Sequence, residues 1–132
     1  MIEKNDLYDY GLAIYQNKEY FKFSLDSILL GEFIKLKNDI SILDLCTGNA
    51  PIPLILLTRN STIKIDAVEI QKEVYELAKK SIKENGFEDR VKLYNVNINS
   101  YTTEKKYDVV LANPPYFKNI ETSYQNENKI KR

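Results

Sequence analysis

Four short, mainly apolar runs, separated by turns and helix-period segments, confine this chain to a narrow set of folds. Residues 40–45, 63–68, 91–96 and 107–111 each have the length and composition of a buried strand. After the first run, Pro51 suits a first helical position and residues 52–57 continue as an apolar helix. After the second, residues 71–85 set Val74, Leu77, Ala78 and Ile82 along one stripe, and Gly86 stops the helix. Continuously apolar strands alternating with helices predict an α/β fold, a parallel sheet with helices on both faces. Ligands of such sheets bind beyond the carboxyl ends of the strands.

The segment ahead of the first run is organised differently. Residues 12–15 and 19–23 read as two short strands around a turn at 16–18. Ser24 suits the N-cap of a helix running to about Lys35, with Leu25, Ile28, Leu29 and Phe33 on one face. The 132 residues therefore divide into a hairpin and helix segment (1–36), a core (37–118) and a polar loop or tail (119–132).

Composition narrows the chemistry. The chain has no histidine and a single cysteine, Cys46, so a Ser-His-Asp triad, a histidine-ligated zinc and a disulfide framework are all excluded, and no metal site is predicted. Catalysis must work by positioning, carboxylates, amides or a bound cofactor. Lys+Arg and Asp+Glu both number 19, so net charge lends nucleic-acid binding no support, although Lys18, Lys22 and Lys118 leave the ends locally basic. No run approaches the ~18 apolar residues of a membrane span. The N-terminus lacks a signal pattern, and a cytoplasmic, non-membrane setting is expected.

Each strand end carries polar chemistry. The first is Asp44-Leu45-Cys46-Thr47-Gly48-Asn49-Ala50, a strand, a tight turn and a helix start. Gly48 lets a ligand approach the backbone and Asp44 presents a carboxylate, although a purely structural turn has the same look. The second gives Glu69, 21 residues past Gly48 and acceptor-only, suited to two ribose hydroxyls or to capping the next helix. The third gives Asn97, an amide able to bind an adenine edge or simply to make a turn. A dinucleotide needs G-x-G-x-x-G, but Gly48 stands alone and Pro51 removes a phosphate-binding N–H. S-adenosylmethionine, which has no phosphate, fits better.

The fourth end, Asn113-Pro114-Pro115-Tyr116, is the most specific signal. Two prolines stiffen the loop and leave carbonyls free to accept. An exocyclic aromatic amine is a poor nucleophile because its lone pair is delocalised. If the Asn113 oxygen and the Pro114 carbonyl accept its two hydrogens, the nitrogen pyramidalises toward a sulfonium methyl, and Tyr116 stacks on the base. No histidine is required.

With these residues in hand, the chain resembles the Rossmann-like class I S-adenosylmethionine-dependent methyltransferases that carry an N-P-P-Y motif. It is most similar to the bacterial family that methylates N6 of the adenine beside the anticodon of a valine tRNA. The likeness rests on Phe21-Lys22-Phe23-Ser24-Leu25-Asp26-Ser27-Ile28-Leu29-Leu30, on residues 44–50, on Val68-Glu69-Ile70-Gln71 and on Asn113-Pro114-Pro115-Tyr116-Phe117. The resemblance implies that Asp44, Cys46, Thr47, Gly48 and Ala50 line the methionine end of S-adenosylmethionine. It implies that Glu69 and Ile70 hold the ribose, Asn97 the adenine, and that Phe23 and Asp26 close over the cofactor. Asn113, Pro114 and Tyr116 would hold the target amine, with Asn113 also bordering the cofactor. Cys46 and Ala50 stand where many such enzymes have glycine, and Asn97 where an acid is common.

Members of that family continue beyond the position of Arg132, so the fold reads as truncated after its fourth strand. A fourth strand left as a sheet edge is expected to make the chain marginal, or to bring a second copy or a separately encoded second half against it. Two other readings stand beside tRNA methylation. N-P-P-Y also serves glutamine methylation in release factors, whose enzymes add a helical N-terminal domain for which residues 1–39 leave no room. The chain could instead be a cofactor-binding remnant without activity.

Overall fold

The computed structural model describes residues 2–7, 11–17 and 25–113. Its order is β1 (Ile2–Leu7), β2 (Leu12–Asn17), α1 (Leu25–Phe33), β3 (Ser41–Asp44), α2 (Pro51–Arg59), β4 (Lys64–Val68), α3 (Lys72–Glu84), β5 (Val91–Tyr94) and β6 (Val109–Leu111). The last four strands form one parallel sheet in the order β5-β4-β3-β6. The order follows from handedness. Right-handed crossovers β3-α2-β4 and β4-α3-β5 step in the same direction, so both helices fall on one face. Ile42, Ile65, Ala67, Val91 and Leu111 meet the α2 and α3 side chains there in a single core.

Among the described residues the three helices share one core with the sheet. The chain reverses direction after β5 to place β6 beyond β3, and residues 95–108 cross the second face with no more than a single 3-10 turn, Ile98–Ser100. That connection is pinned by Asp66, a nearly buried β4 carboxylate on the second face. Its Oδ2 accepts from the Tyr107 hydroxyl at 2.6 Å and from Lys105 Nζ at 3.0 Å. β6 ends up as an edge with Val110 exposed, and among the described residues nothing pairs with its outer side.

α2 is the centre of the molecule. Residues 51–57 are all buried, as befits a helix apolar on every side. It lies between the sheet and α1, where Gly31 fits against Ile55. This packing turns α1 away from its expected orientation. Ser27 and Gly31 face inward, with Ile28, Leu30 and Ile34 against the core, while Leu29 and Phe33 are exposed. The small-residue face wins because it lets two helices approach closely. Arg59 Nη1 then donates to the Gly31 carbonyl at 2.6 Å. A Cβ at Gly31 would stand 3.0 Å from Ile55 Cγ2 and 3.2 Å from its Cβ, both rigidly tied to a fully buried residue. Gly31→Ala is therefore expected to destabilise the chain by about 1–2 kcal/mol despite alanine's better helix propensity, measured by urea denaturation.

The N-terminal hairpin also differs from expectation. β1 pairs antiparallel with β2, Ile2 opposite Asn17 and Leu7 opposite Leu12, so Gln16 and Asn17 belong to a strand and not to a turn. The chain reverses between Leu7 and Leu12, where Gly11 has φ 66°. The expected strand at 19–23 lies outside the described residues. Leu12 and Ile14 point into the core, and the outer edge of β2 is satisfied by side chains. Asn85 exchanges two hydrogen bonds with the Ala13 backbone, Ser81 Oγ accepts from Tyr15 N at 2.7 Å, and Asn49 Nδ2 donates to the Tyr15 carbonyl at 2.9 Å. The hairpin is thereby sealed to α3 and to the turn after β3. Among the described residues no helix is long and apolar enough to cross a membrane.

Candidate functional site

The turn after β3 sits where the sheet topology reverses, between β4 and β6. It is tied to both neighbours: Leu45 N donates to the Leu111 carbonyl at 2.9 Å and Thr47 N to the Val68 carbonyl at 3.0 Å. The carboxyl ends of β3, β4 and β6 are therefore held around one crevice. Gly48 (φ 61°) and Ala50 (φ 72°) both adopt left-handed backbone. Ala50 bears a penalty of about 1 kcal/mol for its Cβ there. A Cβ built on Gly48 would meet no atom within 4 Å, so open space lies beside the turn.

Buried polar atoms without partners converge on this turn. Asp44 is fully buried, and among the described residues neither carboxylate oxygen has a hydrogen-bond partner; the same is true of Thr47 Oγ1 and Asn49 Oδ1. Buried polar groups are normally satisfied, so four orphaned oxygens in six residues point to donors supplied by a ligand. Desolvation raises the Asp44 pKa from 3.8 to about 6; the nearby Thr47 hydroxyl and Cys46 amide offset part of the rise, and the Glu69 carboxylate adds to it. Burial, with Asp44 and Glu69 adding, pushes the Cys46 thiol up, which keeps it neutral.

Glu69, at the end of β4, is nearly buried and already engaged. Its Oε1 accepts from Gly48 N and its Oε2 from Gln71 N, each at 2.9 Å. Each oxygen retains a second lone pair, so the carboxylate both fixes the glycine turn and still presents two acceptors. Glu69→Ala removes both functions and is expected to weaken S-adenosylhomocysteine binding by about 100-fold, read by calorimetry. Glu69→Gln should be nearly as damaging, because its amide NH2 would oppose a backbone N–H.

Beside Glu69 opens a cavity of about 230 Å3 whose walls include Cys46, Ile70, Val96, Asn97 and Ile98. Apolar side chains on a narrow slot suit a flat heterocycle, and Ile70, more than half exposed, stands at its rim. Asn97 caps the 3-10 turn: its Oδ1 accepts from Asn99 N at 2.9 Å, leaving the Nδ2 hydrogens available. Pro51 and Pro53 leave Ile52 as the one N–H among the first three residues of α2, which makes that helix end a poor phosphate cradle.

Asn113 lies two residues past β6, half-buried, with Nδ2 donating to Ser27 Oγ at 3.0 Å. Because Leu45 and Leu111 are bonded, the Asn113 loop and the Asp44 turn leave the sheet side by side. Asp26 is the second residue of α1. Phe23, Pro114 and Tyr116 lie outside the described residues. Sequence reasoning missed Asn49 and Ser27 as members of this site. Asn49 had a signal, a polar residue between two left-handed positions; Ser27 had none, since its role depends on the rotation of α1.

The comparisons agree with this geometry. The family model described as "Methyltransferase small domain" matches residues 22–131. A "tRNA1(Val) (adenine(37)-N6)-methyltransferase" of Flavobacterium psychrophilum is 34% identical over 108 residues, covering 80% of this chain and 46% of that protein. The protein of the same name from Trichodesmium erythraeum is 33% identical over 124 residues, covering 91% and 52%. The chain thus spans about half the length of the curated relatives it matches. Among solved structures, "delta-N METTL16 MTase domain" superposes with TM-score 0.74 at 21% identity, over 95% of this chain and 64% of that one. "Human methyltransferase 10 domain containing protein" does so with TM-score 0.70 at 23% identity and the same coverage. At these identities the structural likeness speaks for the fold.

Proposed function

The chain belongs to the methyltransferase small domain family, and from that premise we propose that it uses S-adenosylmethionine to methylate the N6 amine of an adenine in tRNA. The observation that carries this reading is the placement of two complementary sets of groups around one crevice. Among the described residues, buried acceptors without partners at Asp44, Thr47 and Asn49 cluster in the turn that carries Gly48, and the Asn113 amide stands at the adjoining strand end. The names of the curated relatives add the substrate class.

In this reading Asp44 meets the cationic methionine end, and Glu69 uses its remaining lone pairs on the ribose hydroxyls. The slot of Ile70, Val96 and Ile98 takes the adenine, with the Asn97 amide donating at its edge. Phe23 and Asp26 cover the cofactor. When bound, the donor supplies an electrophilic methyl on a sulfonium. Asn113 Oδ1 and the Pro114 carbonyl accept the two hydrogens of the target amine, and Tyr116 stacks on its base. Those acceptors stabilise positive charge as it develops on nitrogen. A tRNA substrate implies a cytoplasmic setting. A second copy, or a separately encoded second half, is the partner proposed for the edge of β6, which is unpaired among the described residues.

The test is incubation of the chain with labelled S-adenosylmethionine and unmodified tRNA, followed by nucleoside analysis. Label in N6-methyladenosine is the expected result. Label in protein alone, or in another nucleoside, overturns the reading.

A further inference from the structure

Ser27 is buried in α1, 2% exposed, and its hydroxyl accepts the Asn113 amide across 86 residues of sequence. Nothing else described on Asn113 makes a side-chain hydrogen bond; among the described residues no donor reaches its Oδ1. A primary amide has two orientations related by a half-turn. A serine hydroxyl can donate as well as accept; in the orientation observed it accepts Nδ2, and Oδ1 is the atom left for a ligand. The reverse orientation would turn an NH2 group toward a target that itself presents N–H groups, two donors face to face. The hold is firm because α1 is fixed against α2 by the Gly31–Ile55 contact and by Arg59 on the Gly31 carbonyl, one helical turn beyond Ser27.

We propose that Ser27 is a positioning residue: it orients the Asn113 amide so that Oδ1 faces the target amine, coupling α1 to the reacting strand end. The proposal rests on the function proposed above. A preorganised acceptor matters most where charge develops, so the effect belongs on turnover and not on cofactor binding.

The test uses Ser27→Ala, Ser27→Cys and their combinations with Asn113→Ala in the 132-residue chain. Ser27→Ala should lower kcat about fivefold, the worth of one neutral hydrogen bond, with KM for S-adenosylmethionine unchanged. Ser27→Cys restores volume but accepts weakly, and should remain low. In the Asn113→Ala background, Ser27→Ala should have no further effect. An equal loss in both backgrounds, or recovery of turnover in Ser27→Cys, would reduce Ser27 to packing and overturn the proposal. A second readout needs no turnover. The side-chain amide signals of Asn113, identified by their absence in Asn113→Ala, should move in Ser27→Ala; unmoved signals overturn the contact. A wild-type chain that methylates no tRNA would overturn the proposed reaction, and the amide spectrum would still decide whether Ser27 holds Asn113.

Discussion

Asn113→Ala is expected to lose methyl transfer by about a hundredfold or more while binding S-adenosylhomocysteine as the wild type does. The asymmetry follows from what Asn113 touches. It stands at the end of β6, its Nδ2 is engaged by Ser27, and its Oδ1 has no partner among the described residues. The cradle built by Asp44, Thr47, Gly48 and Glu69 lies on β3 and β4 and is tied together without it. Removing the amide deletes an acceptor from the transition state and leaves the cofactor side intact. Asn113→Asp is a second probe: a carboxylate keeps an acceptor but cannot donate to Ser27 Oγ, so it should retain part of the activity. Transfer and affinity measured on the same preparations give the comparison. Wild-type turnover in Asn113→Ala would remove Asn113 from the reaction.

Asp44→Asn should have effects of opposite sign on stability and on binding. Burial pushes the Asp44 carboxyl from 3.8 up to about 6, only partly offset by the nearby Thr47 hydroxyl and Cys46 amide. A raised pKa means the folded chain holds a proton that the unfolded chain has released. Asp44 therefore contributes stability that is complete below the unfolded pKa and lost as pH rises through about 6. Above that pH, folding holds a charged group in an unfavourable place at a cost of roughly 2–3 kcal/mol. Asparagine keeps the shape and drops the charge. The variant should gain about 2 kcal/mol in urea denaturation at pH 7.5, with the gain vanishing near pH 4. The same change should weaken S-adenosylhomocysteine about tenfold or more if, as proposed, the carboxylate is the counter-charge for its amino group. A variant that is more stable and binds equally well would mean that Asp44 faces no cation.

The sheet and the turn after β3 were legible because their signals are local. Residues 40–45 and 63–68 are mainly apolar, Pro51 opens α2, and the stripe of Val74, Leu77, Ala78 and Ile82 is buried as read. Glu69 and Asn113 fall at strand ends because any residue just past such a strand does. What escaped was set by tertiary packing. β1 is too polar to announce itself, since it lies on the outside of a two-stranded ribbon, and this misplaced the hairpin by one strand. The stripe of Leu25, Ile28, Leu29 and Phe33 has helical spacing, but Gly31 against Ile55 rotates Leu29 and Phe33 to the surface. The β5–β6 connection, which crosses the second face with no more than a single 3-10 turn, contains no helix-period segment. The double duty of Glu69 was invisible for a similar reason, because nothing in a sequence shows that a carboxylate already holds two backbone amides.

The central claim is that the crevice between β3, β4 and β6 is a cofactor site built into this chain. Calorimetric titration of S-adenosylhomocysteine into the purified 132-residue chain tests it most directly. Saturable one-to-one binding, lost in Glu69→Ala and retained in Asn113→Ala, is the result predicted here. A chain that is folded by circular dichroism yet takes up no ligand would contradict it.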